Sequence, residues 1–257
     1  MQLLPGAEPF QHEGTSSVGV LLCHGFTGSP QSMRPWAEHL AEAGHTVSLP
    51  LLPGHGTRWE DLRPTGWQDW YATVDRELRL LGDRCERVFV CGLSMGGTLA
   101  LRLAARHGEA VAGVAVVNPA MTFPRGKGHA LPVLRHLVPS TPGITSDIAR
   151  EGGEEVGYDR VPLHSALALR NLLNLVRGEL PRVTQPLLVM RSRRDHVVPP
   201  TDSNLVLGGV SSTDVTELFL ERSFHVATLD HDAPRIFQET DAFITRLTTR
   251  KPARDGA

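Results

Sequence analysis

The sequence predicts an α/β domain with a mostly parallel central sheet and helices on both faces. Three observations predict it. Short, almost continuously apolar runs alternate with longer amphipathic segments, and glycine- and proline-rich junctions separate them. The 257 residues suit one large α/β unit with an ample core. Runs of that kind are strands covered on both faces, as happens when helices connect parallel strands.

The elements follow in order. Val18-Gly19-Val20-Leu21-Leu22-Cys23 reads as a buried strand. Ser32 to Ala43 reads as a helix, with Ser29 as its N-cap, Pro30 at its first position and Gly44 as its stop. Thr46 to Leu49 is the next strand, Trp67 to Leu81 a helix, and Val88 to Cys91 a strand. Gly97 to Arg106 favours helix and Gly113 to Val117 strand. The rhythm then breaks. The next strand-like run, Pro186 to Arg191, comes too late for an ordinary connection, and long segments of this sort inside a domain are usually functional. Leu163 to Arg177 has helical spacing, and the apolar content of the interval argues against disorder. Residues 119–181 therefore read as a cap inserted between core segments 1–118 and 182–257. Thr216 to Leu220 resumes the sheet, Ala233 to Leu247 forms a last helix, and Thr248 to Ala257 reads as a frayed polar tail.

Composition narrows the function. The formal net charge is −2 and no basic run tracks a phosphate backbone, which argues against nucleic acid. Cys23, Cys85 and Cys91 are odd in number and sit mostly in apolar runs, so they read as small buried hydrophobes with reduced thiols. Met1 to Gly14 has no basic stretch followed by an apolar one, and the expected location is cytoplasmic. No histidine–acid spacing resembles a zinc site, so neither metal nor organic cofactor is expected.

Chemistry enters at Gly92-Leu93-Ser94-Met95-Gly96. A β-rich run precedes this G-x-S-x-G pattern and a helix-favouring run follows it, the context of a nucleophile elbow. A serine hydroxyl needs a base within reach, and the base needs an orienting acid. On such sheets the partners follow the serine in the order acid, then histidine, on loops beyond the strands' carboxyl ends. Asp195 lies in the loop after Pro186 to Arg191 and is the chosen acid; the nearest competitor, Asp202, looks like the cap of a following helix. His225 lies just after the last strand and is the chosen base. His24 and His55 precede the serine and read as loop-organising hydrogen-bonders. The oxyanion donors are the N–H groups of Met95 and Phe26, the latter in the loop His24-Gly25-Phe26-Thr27-Gly28.

With these residues in view, the chain resembles serine hydrolases of the α/β-hydrolase fold, and within them the compact bacterial monoacylglycerol lipases and related small bacterial carboxylesterases. The resemblance is carried by Gly6 to Phe10, His24 to Gly28, Ser32 to Pro35, Gly54 to Thr57, Gly92 to Leu99, Asp195 to Pro200 and His225 to Asp230. It is poorest from Pro119 to Ala149. The resemblance implies a triad of Ser94, Asp195 and His225, with Phe26 and Met95 as oxyanion donors. It also implies that cap residues Ile144 and Glu155 contact a glycerol head group. The expected partner is a small ester, with monoacylglycerol foremost; an apolar cap surface is compatible with transient contact to a lipid surface or with a second subunit. Two alternatives stand beside this: a general short- or medium-chain carboxylesterase with the same triad, and a non-catalytic ligand-binding homologue.

Overall fold

Side-chain alternation along the strands sorts the interior into two layers. In β2 (Val18–Cys23), Val18, Val20 and Leu22 join one hydrophobic cluster, while Leu21 and Cys23 join the other. The same period of two separates Val88 and Val90 from Phe89 and Cys91 in β4. A strand apolar on both sides must be covered on both sides, and helices do this here. The structure, a computed structural model, describes residues 2–123 and 131–249.

The chain opens with β1 (Phe10–His12), β2, α1 (Arg34–Glu42) and β3 (Thr46–Leu49). A short α2 (Trp59–Leu62) and a long α3 (Trp67–Gly82) lead to β4 (Arg87–Leu93), α4 (Met95–His107) and β5 (Gly113–Val117). Next come α5 (Leu131–Leu137), the ribbon β6 (Ser140–Pro142) and β7 (Arg160–Pro162), and α6 (Leu163–Glu179). The chain then returns through β8 (Leu187–Ser192), α7 (Pro200–Gly209), β9 (Val215–Leu220) and α8 (Ala233–Thr249). Seven strands form one sheet in the order β1-β3-β2-β4-β5-β8-β9. Within this sheet only the β1–β3 pairing is antiparallel among the described residues. Trp70, Val74, Leu78 and Leu81 of α3 recur at helical spacing and cover one face together with α4 and α6. Trp36, Ala37 and Leu40 of α1 and Ile236, Phe243 and Ile244 of α8 cover the other.

Several expectations change at the edges. Ser29 has the extended backbone of an N-cap but makes no cap hydrogen bond, and a 3-10 turn over Pro30–Met33 precedes α1. Its hydroxyl instead donates to the Val156 carbonyl at 2.7 Å, a tertiary partner that outcompetes the local one. Asp202 does not cap α7, whose N-cap is Pro199. Its fully buried carboxylate accepts from Met121 N–H (2.7 Å), Thr122 N–H (2.8 Å) and Thr122 Oγ1 (2.7 Å), fixing the chain where it leaves β5. Thr248 and Thr249 continue α8 by back-bonding to Ile244 and Thr245 carbonyls, so the tail begins later than expected; residues 250–257 lie outside the described residues, as do Met1 and part of the cap, 124–130. Cys23 and Cys91 are buried and Cys85 half-buried, all as free thiols, and burial raises the first two well above an ordinary thiol. Among the described residues no helix is long and apolar enough to cross a membrane.

The segment between β5 and β8 is tied to the preceding helices and loops by specific contacts. Arg102 of α4 pairs with Glu179 of α6 at 2.5 Å and lies over the rings of Trp67 and Tyr71. Ser165 Oγ donates to the Leu62 carbonyl at 2.9 Å. Tyr158 donates its N–H to Thr27 and its hydroxyl to Gly54, while receiving the Thr57 N–H.

Candidate active site

The turn after β4 is possible because of its glycines. Ser94 has φ +55°, a conformation costly for a side-chain-bearing residue. A Cβ on Gly96 would stand 1.8 Å from the Cys23 carbonyl oxygen, and one on Gly92 would stand 2.3 Å from the Gly96 backbone. The Cys23 carbonyl cannot retreat, since β2 pairs with β4 along its whole length. The strain is held by Ser94 N–H donating to Val117 O (3.0 Å) and Ala120 N–H donating to Ser94 O (3.2 Å). Ser94 thus sits at the junction of β4 and α4 and lines a cavity of about 500 Å³.

The histidine and the acid come from the far side of the sheet. His225 Nδ1 lies 2.8 Å from Asp195 Oδ2, and both side chains are buried. The other oxygen of Asp195 accepts from Val197 N–H (2.8 Å) and Val198 N–H (2.7 Å). Three donors therefore fix this carboxylate. With Nδ1 engaged, Nε2 is the ring nitrogen left to face a hydroxyl. His225 lines the same cavity as Ser94.

Asn118 stitches these loops to the sheet. At the end of β5, with φ +44°, it donates from Nδ2 to His225 O (2.8 Å) and Ser192 Oγ (3.0 Å), and its Oδ1 receives the Ser192 N–H (2.7 Å). Ser192 ends β8 and donates on to the Phe224 carbonyl at 2.7 Å. A single asparagine thus links the strand before the acid to the backbone of the base. No local pattern in the sequence marks it.

The two expected oxyanion donors, Met95 and Phe26, belong to segments that adjoin Ser94. Met95 is the first residue of α4, where an N–H has no partner within the helix. The Phe26 N–H has no acceptor among the described residues, and the Phe26 loop packs against Ser94, with the Gly25 Cβ position 3.7 Å from the Ser94 Cβ. The loop is held from behind by neutral imidazoles. His24 Nε2 receives the Leu52 N–H at 3.1 Å and its Nδ1 bonds Gly25 O at 2.9 Å; burial lowers it to about 4. Burial lowers His55 to about 3, and its ring stacks edge-on against Trp70 at 5.7 Å.

Leu131, Leu134, Ala166, Leu169, Leu173 and Val198 give the cavity its apolar wall. Ile144 and Glu155 also line it. Ile144 is 63 % exposed, which places it at the rim. Glu155 is half-buried. Burial pushes its carboxyl above the ordinary range, against the opposing pull of His225 and the Ser32 hydroxyl. A Cβ on Gly28 would stand 2.7 Å from Glu155 Oε1, so this glycine makes room for the glutamate.

A serine at a strand–turn–helix junction, sharing a cavity with a histidine–aspartate pair, fits a serine hydrolase of the α/β-hydrolase fold. The chain belongs to the Hydrolase_4 family, described as serine aminopeptidase, S33, whose profile matches residues 16–232. It is 43% identical over 249 residues to the thermostable monoacylglycerol lipase of Bacillus sp. (strain H-257), covering 95% of this chain and 96% of that one. It is 28% identical to a carboxylesterase of Bacillus subtilis, over 93% and 97% of the two chains. A solved structure reported with the metagenome-derived lipolytic enzymes LipS and LipT superposes with TM-score 0.92 at 42% identity, covering 95% of this chain and 100% of the other.

Proposed function

We propose that this chain hydrolyses carboxylic esters through an acyl-enzyme, and that its preferred substrate is a monoacylglycerol, released as fatty acid and glycerol. The observation that carries the reading is the shared cavity: Ser94 and His225 open onto one space with a mostly aliphatic wall and a half-buried carboxyl, Glu155, beside the already engaged Asp147. An acyl chain fits the wall, and a polyol fits the carboxyl. Likeness to a lipase named for monoacylglycerols supports the choice of head group.

In this mechanism Ser94 Oγ attacks the ester carbonyl while His225 takes its proton and Asp195 stabilises the imidazolium. The Phe26 and Met95 N–H groups receive the oxyanion. His225 protonates the departing alcohol, and water then cleaves the acyl-enzyme by the same route. Residues 119–181 act as the cap, with Ile144 at the rim and Glu155 holding a glycerol hydroxyl. Val133, Leu137 and Ile144, each more than 60 % exposed, give the cap an apolar surface suited to transient contact with lipid.

A hydrolysis panel tests the substrate assignment. Monoacylglycerols are expected to exceed matched di- and triacylglycerols by about 10-fold or more in kcat/KM, since a second acyl chain must displace the polar contacts at Glu155. Equal turnover of simple alkyl esters would point to the general carboxylesterase. Turnover of aminoacyl p-nitroanilides in preference to esters would overturn the ester assignment.

A further inference from the structure

The loops that carry the acid and the base both end against one carboxylate of the overlying segment. Asp147 Oδ1 lies 2.7 Å from His196 Nδ1, and Oδ2 accepts the backbone N–H groups of His225 (3.0 Å) and His196 (3.2 Å). The Asp147 carbonyl receives the Val226 N–H at 3.0 Å. Its side chain is 11 % exposed. His196 directly follows Asp195, and its ring packs edge-on at 4.5 Å against Phe224, which directly precedes His225. Asp147 therefore binds the residue after the acid and the backbone of the base, and none of these bonds involves the Nδ1–Oδ2 contact itself.

We propose that Asp147 is a positioning residue that holds the acid and base loops in the register in which Asp195 meets His225, and so couples the seating of the cap to the competence of the triad. The inference rests on the assignment of Asp195 and His225 as acid and base. Hydrogen bonds to a carboxylate are roughly twice as strong as neutral ones, which suits it to pinning two loops at once. A second aspartate shows the contrast. Asp230 accepts from Ala149, Arg150, Phe224 and His231 N–H groups, tying the cap to the base loop without reaching the acid loop. Asp147 reaches all three.

The test uses Asp147→Ala, Asp147→Asn and His196→Ala in the full chain, assayed on p-nitrophenyl acetate, whose acyl group is too short to fill the cavity. Displacement of a reacting group by an ångström costs about 100-fold, so Asp147→Ala is expected to lower kcat by about 10- to 100-fold per folded molecule. KM for this short ester is expected to stay within about twofold, because Asp147 lines the cavity but its carboxylate is already engaged by the His196 ring and two backbone N–H groups. Asp147→Asn keeps an acceptor for the His225 N–H and recovers part of the loss. His196→Ala removes an exposed ring and shows an intermediate fall in kcat without loss of thermal stability. Unchanged kcat in folded Asp147→Ala, or a change confined to KM, overturns the proposal. If Asp147→Ala does not fold, Asp147→Asn and His196→Ala decide between the same two results. Ser94→Ala separates the layers: its inactivity beside fully active Asp147 variants overturns this inference alone, whereas its activity overturns the triad beneath it.

Discussion

Replacing Ser94 with alanine is expected to lower kcat for ester hydrolysis by about 10⁶-fold, the scale seen when a triad nucleophile is removed. The fold should survive. Alanine at φ +55° carries the same kind of backbone strain as serine, and the bonds that hold this turn run through the backbone N–H and carbonyl of residue 94 rather than its hydroxyl. Thermal unfolding of the variant is expected to stay within about 1 kcal/mol of the parent. Residual activity over water reflects the Phe26 and Met95 donors, which the substitution leaves in place. A variant that is folded and still turns over esters at near-parental rate would remove Ser94 from the chemistry.

Asp195→Asn is expected to cost about 10⁴-fold in kcat with little change in structure. The asparagine Oδ1 can still receive the Val197 and Val198 N–H groups, so the loop keeps its shape. Its amide, however, presents N–H to His225 Nδ1, where the carboxylate presented an acceptor 2.8 Å away. The imidazole then carries its proton on Nε2 and cannot accept one from a hydroxyl. Asp202→Asn is the natural comparison, because Asp202 was the rival acid. It bonds Met121 and Thr122 and no imidazole, so its substitution is expected to lower stability rather than kcat per folded molecule. The reverse pattern would transfer the acid's role to Asp202.

Much of the core was legible because its signals are local. Buried strands announce themselves as apolar runs, and the turn at Ser94 declares itself by glycines at fixed offsets from the serine. β1 escaped notice because it is a half-exposed edge strand of three residues with no apolar run. The β6–β7 ribbon escaped because each strand is three residues long, ends on proline and has no apolar run. The polar groups that organise the site were harder still. Asn118, Asp147, Asp202 and Tyr158 act across long stretches of chain, and a lone polar residue in a loop has no pattern that tells a buried clamp from a solvated turn. Ser29 shows the opposite failure: its local pattern fitted a helix cap, but the Val156 carbonyl offered a better partner. Glu155 was reached through the family resemblance alone, and it lines the cavity.

Covalent labelling tests the central claim most directly. The native chain is treated with a serine-directed alkyl fluorophosphonate and the adduct is located by peptide mass spectrometry, beside His225→Ala under the same conditions. One adduct on Ser94, forming rapidly in the parent and slower by orders of magnitude without the imidazole, is the result expected. A native protein that hydrolyses esters yet carries no adduct on Ser94, or that labels equally fast without His225, would contradict it.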